Sequence, residues 1–284
     1  MFKKLLVYAS FVRLSHSVFA LPFALAGVVF ASRITPLTMQ RVIWIVAAMV
    51  TARSAAMGFN RLVDAHHDAL NPRTALRELP RGAMTKLEAV WFVVITSVAF
   101  IGITYKLSFL CFVLSPVALL IVFWYSLAKR YTYYAQLFLG LAMAVAPVGG
   151  WFAAGGRAGW EPWLLGLAIG AWVGGFDILY ACQDTEFDQD HGLRSIPVRF
   201  GISAALWISR VMHVLSVGCL IVLGLILHLG FVYLGGVIIV GGLLIFEQSL
   251  VHKNDLSKIK RAFDLNGYVA LLYLFVTIVA IYLK

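Results

Sequence analysis

The sequence predicts an all-α, polytopic membrane protein with nine transmembrane helices around a central chamber, a single domain over residues 1–284. Three observations predict it. The chain is 62% hydrophobic and only 13% charged, against about 45–50% and about 25% in soluble domains. Its apolar residues fall into runs of the roughly 20 residues needed to cross a bilayer. Its Lys and Arg gather in alternate connections between those runs, as they do in cytoplasmic loops. That placement also accounts for the net charge of +10 without a nucleic-acid partner.

In chain order, the first run, Leu14–Ser32, follows Lys3, Lys4 and Arg13 and lacks the compact apolar core and cleavage site of a signal peptide, so it reads as a retained helix. The second, Val42–Asn60, begins at Arg41 and ends where an acidic and basic stretch starts. The third and fourth are Leu87–Tyr105 and Phe109–Leu127, the latter closed by Lys129 and Arg130. The fifth and sixth are Tyr133–Ala153 and Pro162–Cys182, and the sixth opens onto a second acidic stretch. The last three are Ala204–Leu227, Phe231–Val251 and Gly267–Leu283. All carry the small residues that let membrane helices pack closely. None shows the dyad alternation of a membrane β-strand. Cys111, Cys182 and Cys219 lie in or beside these runs and read as small buried hydrophobes.

With the N-terminus in the cytoplasm, the Lys and Arg bias puts only Arg33, Arg41, Lys106, Arg157 and Lys284 on the far side. The longest connections, Val63–Lys86, Gln183–Ser203 and His252–Asn266, are then all cytoplasmic. Two of them open on aspartate pairs: Asp64 with Asp68, and Asp184 with Asp188. Residues four apart share a helix face, so each pair can present two carboxylates to one point. Four predicted helices separate the pairs. An even number returns the chain to the same side, where the pairs can meet. Gathered carboxylates repel unless a cation joins them. Mg²⁺ takes one or two carboxylates and leaves room for phosphate oxygens. Arg13, Lys129, Arg130 and Arg194 sit at cytoplasmic helix ends, where they could hold a diphosphate by charge-assisted hydrogen bonds. Spacing and charge thus point to a membrane enzyme acting on a lipid diphosphate with Mg²⁺.

The motifs resemble those of the UbiA superfamily of intramembrane prenyltransferases. Asn60, Asp64 and Asp68 match its Asn-x-x-x-Asp-x-x-x-Asp motif, and Asn71-Pro72-Arg73-Thr74 with Arg77 to Gly82 resembles the loop that follows. Tyr180, Asp184, Asp188, Gly192 and Ser195 match the second motif. Arg53, Tyr125 with Lys129 and Arg130, and Asp177 fall at further family positions. One departure stands out: many members carry Asp directly after the motif Asn, where this chain has Arg61. The resemblance implies Mg²⁺-dependent transfer of a prenyl chain from its diphosphate to an aromatic acceptor. Asp64, Asp68, Asp184 and Asp188 would hold the diphosphate through Mg²⁺, and Arg13, Lys129 and Arg194 would contact it directly. Phe59, Tyr125, Phe176 and Tyr180 could stabilise an allylic cation. Asp177, Arg53 and Asn60 would orient the acceptor.

The run from Asp177 to Gly201 looks most like the 4-hydroxybenzoate polyprenyltransferase branch. Within it, the likeness leans towards a menaquinone subgroup that prenylates 1,4-dihydroxy-6-naphthoate. The implied setting is quinone biosynthesis, ubiquinone or menaquinone, in the cell's inner membrane with the site on the cytoplasmic side. The competing expectation is a cation- or proton-coupled transporter using the same acids. Such a pathway needs polar groups at several depths, whereas here the acids collect on one side.

Overall fold

The computed structural model describes residues 2–12 and 17–283. Among them the fold is α-helical, and its one β-bridge joins His252 to Asp255 in a turn. The helices are α1 (Phe2–Phe11), α2 (Ser17–Ala31), α3 (Met39–Leu70), α4 (Lys86–Leu107), α5 (Phe109–Tyr131) and α6 (Ala135–Ala153). They continue with α7 (Glu161–Ala181), a 3-10 turn at Cys182–Asp184, α8 (Thr185–Asp190), α9 (Ile196–Ile226), α10 (Gly230–Ser249) and α11 (Ile259–Tyr282). Eight are long and apolar enough to cross a membrane; this is a multi-pass membrane protein. Of the first expected span, the described part is the 15-residue α2, about 22 Å at 1.5 Å per residue, and Leu14 to His16 lie outside the described residues.

Three expected boundaries move, the first two for a local reason. Helix α3 does not stop at Asn60. It runs to Leu70, 32 residues, or about 48 Å, and ends only where Asn71 precedes Pro72, a step that disfavours helix. Asp64 and Asp68 are therefore on the helix and not in a loop. Helix α9 starts eight residues before Ala204 because Ser195 is extended and Pro197 fills the first turn, where a missing N–H costs nothing. Within it Gly201 has φ +79°, a left-handed conformation suited to glycine, so the segment is two helices meeting at a kink. Helix α11 likewise begins at Ile259 and not at Gly267, which puts Lys260 and Arg261 on helix.

The helices form two compact units. The first holds α1, α3, α4 and α5 as far as Leu127. There Phe11, Val12, Met84 and Ala89 are buried together, flanked by Tyr8, Leu62, Leu79 and Phe92. Thr85 and Glu88 close a reciprocal capping box at the start of α4, and Lys4 of α1 reaches Glu88 at 3.0 Å.

The second unit holds Phe19–Leu37 and everything from Ala128. Its helices approach through glycine. A Cβ on Gly140 of α6 would collide with the carbonyl oxygen of Gly170 on α7, and one on Gly150 would collide with that of Ala24 on α2. Small residues at such crossings let dispersion forces hold membrane helices together. Trp172, Tyr233, Tyr273, Phe23 and Phe30 fill the interior. Their polar atoms are satisfied: Trp172 Nε1 donates to Asn266 Oδ1 at 2.7 Å, and the two tyrosine hydroxyls meet at 3.1 Å. Ser209 Oγ donates to the Gly175 carbonyl and accepts from Gln248 Nε2, both at 2.7 Å.

Candidate active site

In the first unit, the last turns of α3 carry the first motif. Arg61, Asp64 and Asp68 are all buried on it. Their spacing of three and four residues puts them on one stripe of the helix. Asn60 Nδ2 donates to Asp64 Oδ2 at 3.4 Å. Asp68 is held from both ends. Thr74 Oγ1 donates to its carbonyl at 3.0 Å, and Arg77 Nη1 donates to its two carboxylate oxygens at 2.7 and 2.8 Å.

The loop that delivers Arg77 is itself pinned. Asn71 Oδ1 accepts from the Arg73 amide at 2.9 Å. Gly82, at φ +71°, ends a turn in which Ala83 N bonds Glu78 O and Gly82 N bonds Leu79 O, the pairing of a glycine C-cap. Ser10 of α1 donates to the Glu78 carboxylate. Upstream on α3, Arg53 is half-buried, and Phe59 stacks on Phe123 with ring centroids 4.5 Å apart.

In the second unit, the second motif is not one helix. Helix α7 ends at Ala181, Asp184 closes the 3-10 turn, and Asp188 lies in the six-residue α8. The i, i+4 argument for this pair therefore applies to a bent segment. At its end the amides of Gly192 and Leu193 return to the carbonyls of Gln189 and Asp188, with Gly192 at φ +67° and Leu193 buried. This is a Schellman closure, and it fixes the backbone at Asp188. Asp177 lies one turn before the bend, on the last turns of α7. Arg194 is tied to the same place: its amide bonds the Lys129 carbonyl at 2.7 Å, and its Nη1 donates to the Tyr131 carbonyl at 2.6 Å. Tyr180 packs on Phe263, centroids 4.8 Å apart, as does Phe176 at 5.5 Å.

The structure thus gathers Asp177, Asp184, Asp188, Lys129 and Arg194 within one unit, and Asn60, Asp64, Asp68, Arg53 and Tyr125 within the other. Arg13 lies outside the described residues. Sequence reasoning gave no individual role to Thr74 or Arg77 and left Arg61 unplaced. The signals for the first two were the Asn-Pro helix stop and the arginine nine residues after Asp68, which only a turn could bring back.

A model of the UbiA prenyltransferase family matches residues 20–278. The chain belongs to this family. It is therefore a prenyltransferase, and the transporter expectation falls. As a family member it is similar to the 4-hydroxybenzoate octaprenyltransferase of Vibrio campbellii, 28% identical over 219 residues that make up 77% of each chain. Among solved structures, a UbiA homolog from Aeropyrum pernix K1 is 33% identical, with a TM-score of 0.85 over 93% of this chain and 98% of that one. A UbiA homolog from Archaeoglobus fulgidus, solved bound to GPP and Mg²⁺, shares the fold at 20% identity and TM-score 0.77, covering 96% of this chain and 99% of that one.

Proposed function

We propose that this UbiA-family enzyme transfers a polyprenyl group from its diphosphate to a hydroxylated aromatic acid, 4-hydroxybenzoate or 1,4-dihydroxy-6-naphthoate, in ubiquinone or menaquinone biosynthesis. It works as one domain in the cell's inner membrane, with its N-terminus and active site cytoplasmic. The observation that carries this reading is the pair of buried or half-buried aspartate sets, each with its own cations, on a family scaffold whose relative in Vibrio campbellii is named for 4-hydroxybenzoate.

Mg²⁺ fits the donors present. The motif aspartates offer hard carboxylate oxygens, the donors taken by an ion that draws the rest of its shell from phosphate and water, and the Archaeoglobus fulgidus homolog was solved with Mg²⁺ and GPP. Asp64, Asp68, Asp184 and Asp188 would hold it. When bound, Mg²⁺ neutralises the diphosphate and so makes it a better leaving group.

The chain's own residues do the rest. Lys129 and Arg194, with Arg13, bind the diphosphate oxygens directly. As the C1–O bond of the prenyl diphosphate breaks, its electron pair leaves with the diphosphate. Tyr125 and Tyr180 present ring faces to the allylic cation. Asn60, Arg53 and Asp177 orient the acceptor so that the ring carbon ortho to its hydroxyl forms the new C–C bond. That carbon then gives up its proton to the released diphosphate and the ring regains aromaticity.

The test is an acceptor panel with one prenyl diphosphate and Mg²⁺, products read by mass spectrometry. Prenylated 4-hydroxybenzoate or dihydroxynaphthoate is expected, and Asp64→Ala and Asp184→Ala should each abolish it while the protein still extracts folded from membranes. Transfer that survives in both variants removes the aspartates from the reaction. Product with neither acid overturns the acceptor class.

A further inference from the structure

We propose that the end of the α10–α11 pair nearest the His252–Lys258 turn is a binding site for one anionic phospholipid. The site is a groove of about 520 Å³ between the last turns of α10 and the first turns of α11, wholly within the second unit. It has two chemically different ends. Lys260 and Arg261 line it from the first turn of α11, with Asp264 one turn on. Leu265 and Tyr268 continue the same stripe of α11, at the three- and four-residue spacing that keeps a helical face, and Phe246 and Leu250 form the opposite wall from α10. A phosphate above an acyl chain has this same division.

The cations are available. Neither Lys260 nor Arg261 makes an ion pair or side-chain hydrogen bond with another described residue, and both are exposed. Asp264 sets the selectivity. It reduces the charge of the groove to +1 (two cations against one carboxylate), which complements the single charge of a phosphodiester better than the higher charge of a prenyl diphosphate. Position agrees: both helices are membrane-spanning, and the groove lies at their ends, where headgroups sit. Basic residues at this level attract anionic lipid strongly enough to matter singly. None of these residues takes part in the proposed transfer reaction.

The experiment is native mass spectrometry of the full chain released from nanodiscs of mixed phosphatidylglycerol and phosphatidylcholine. One retained phosphatidylglycerol per chain is expected. Lys260→Gln with Arg261→Gln should lower its occupancy about thirtyfold, the effect of losing two such cations. Lys253→Gln with Lys258→Gln removes the same charge from the neighbouring turn, outside the groove, and should leave occupancy within twofold. Leu250→Trp fills the groove from α10 with the cations intact and should also expel the lipid. Equal loss in the two double variants means diffuse attraction and overturns the site. So does equal retention of phosphatidylcholine, retention of lipid in Leu250→Trp, or displacement of the lipid by stoichiometric geranyl diphosphate.

Discussion

The contact between Arg77 and Asp68 lends itself to a double-mutant cycle. The Asp68 side chain is 9% exposed and that of Arg77 22%, so solvent screens the pair little. The geometry is a single nitrogen bridging two oxygens at 2.7 and 2.8 Å, and not a two-nitrogen fork, so the attraction lies at the lower end of charge-assisted pairs. A hydrogen bond to a charged group contributes about 1.5–3 kcal/mol. Stranding a buried charge costs about 3–5 kcal/mol. Arg77→Ala should therefore destabilise the metal-free protein by about 3 kcal/mol, and Asp68→Asn by less, since a neutral amide is left behind. The double variant should recover much of the loss, giving a coupling energy of about 2 kcal/mol. Thermal unfolding in detergent with a chelator present reads all four proteins. Adding Mg²⁺ with prenyl diphosphate should shrink the Arg77→Ala deficit, because a bound cation replaces the missing countercharge. Additive single effects, with coupling under about 0.5 kcal/mol, would refute the pair.

Two further predictions concern packing and protonation. Gly140→Ala should cost about 2–3 kcal/mol by forcing α6 off the Gly170 carbonyl, whereas Gly149→Ala, with open space around its position, should be close to neutral; equal melting temperatures for the two would contradict the close crossing. Asp255 accepts hydrogen bonds from the hydroxyl and the amide of Ser257 at 2.6 and 3.0 Å, which hold its carboxyl below the usual range. Since the folded form favours the charged state, this turn is stabilised at neutral pH and loses that support as pH falls through the depressed value. A carboxyl NMR titration should find the midpoint low and find it raised in Ser257→Ala; an unchanged midpoint would show that the hydroxyl is not the cause.

Much of the candidate site's local geometry was legible because it depends on spacing along one helix. Asn60, Asp64 and Asp68 declare themselves by spacing, and α3 does place them on one helix. The helix ends were read less well because hydropathy marks where lipid stops and says little about where helix stops. Helix α3 continues for ten residues past its apolar run, with polar groups it can afford outside the bilayer. The beginning of α9 was announced by Ser195 and Pro197, capping signals that an apolar window overlooks. Arg77 could not be assigned at all from spacing, since its contact depends on a turn that reverses the chain. Arg61 is buried on the aspartate stripe, and no periodicity argument anticipates a cation there.

The continuous course of α3 makes the two aspartate motifs mechanically unequal. Asp64 and Asp68 ride on the end of a 32-residue rod, where every backbone amide behind them is already committed to a helical bond. Their placement carries little conformational freedom to lose. Asp184 and Asp188 instead straddle a 3-10 turn and a six-residue helix, a short segment whose order depends on the Schellman closure at Gly192. The first motif is thus held by the length of its helix, and the second by one closing turn at its end, so the order of the second rests on far fewer bonds.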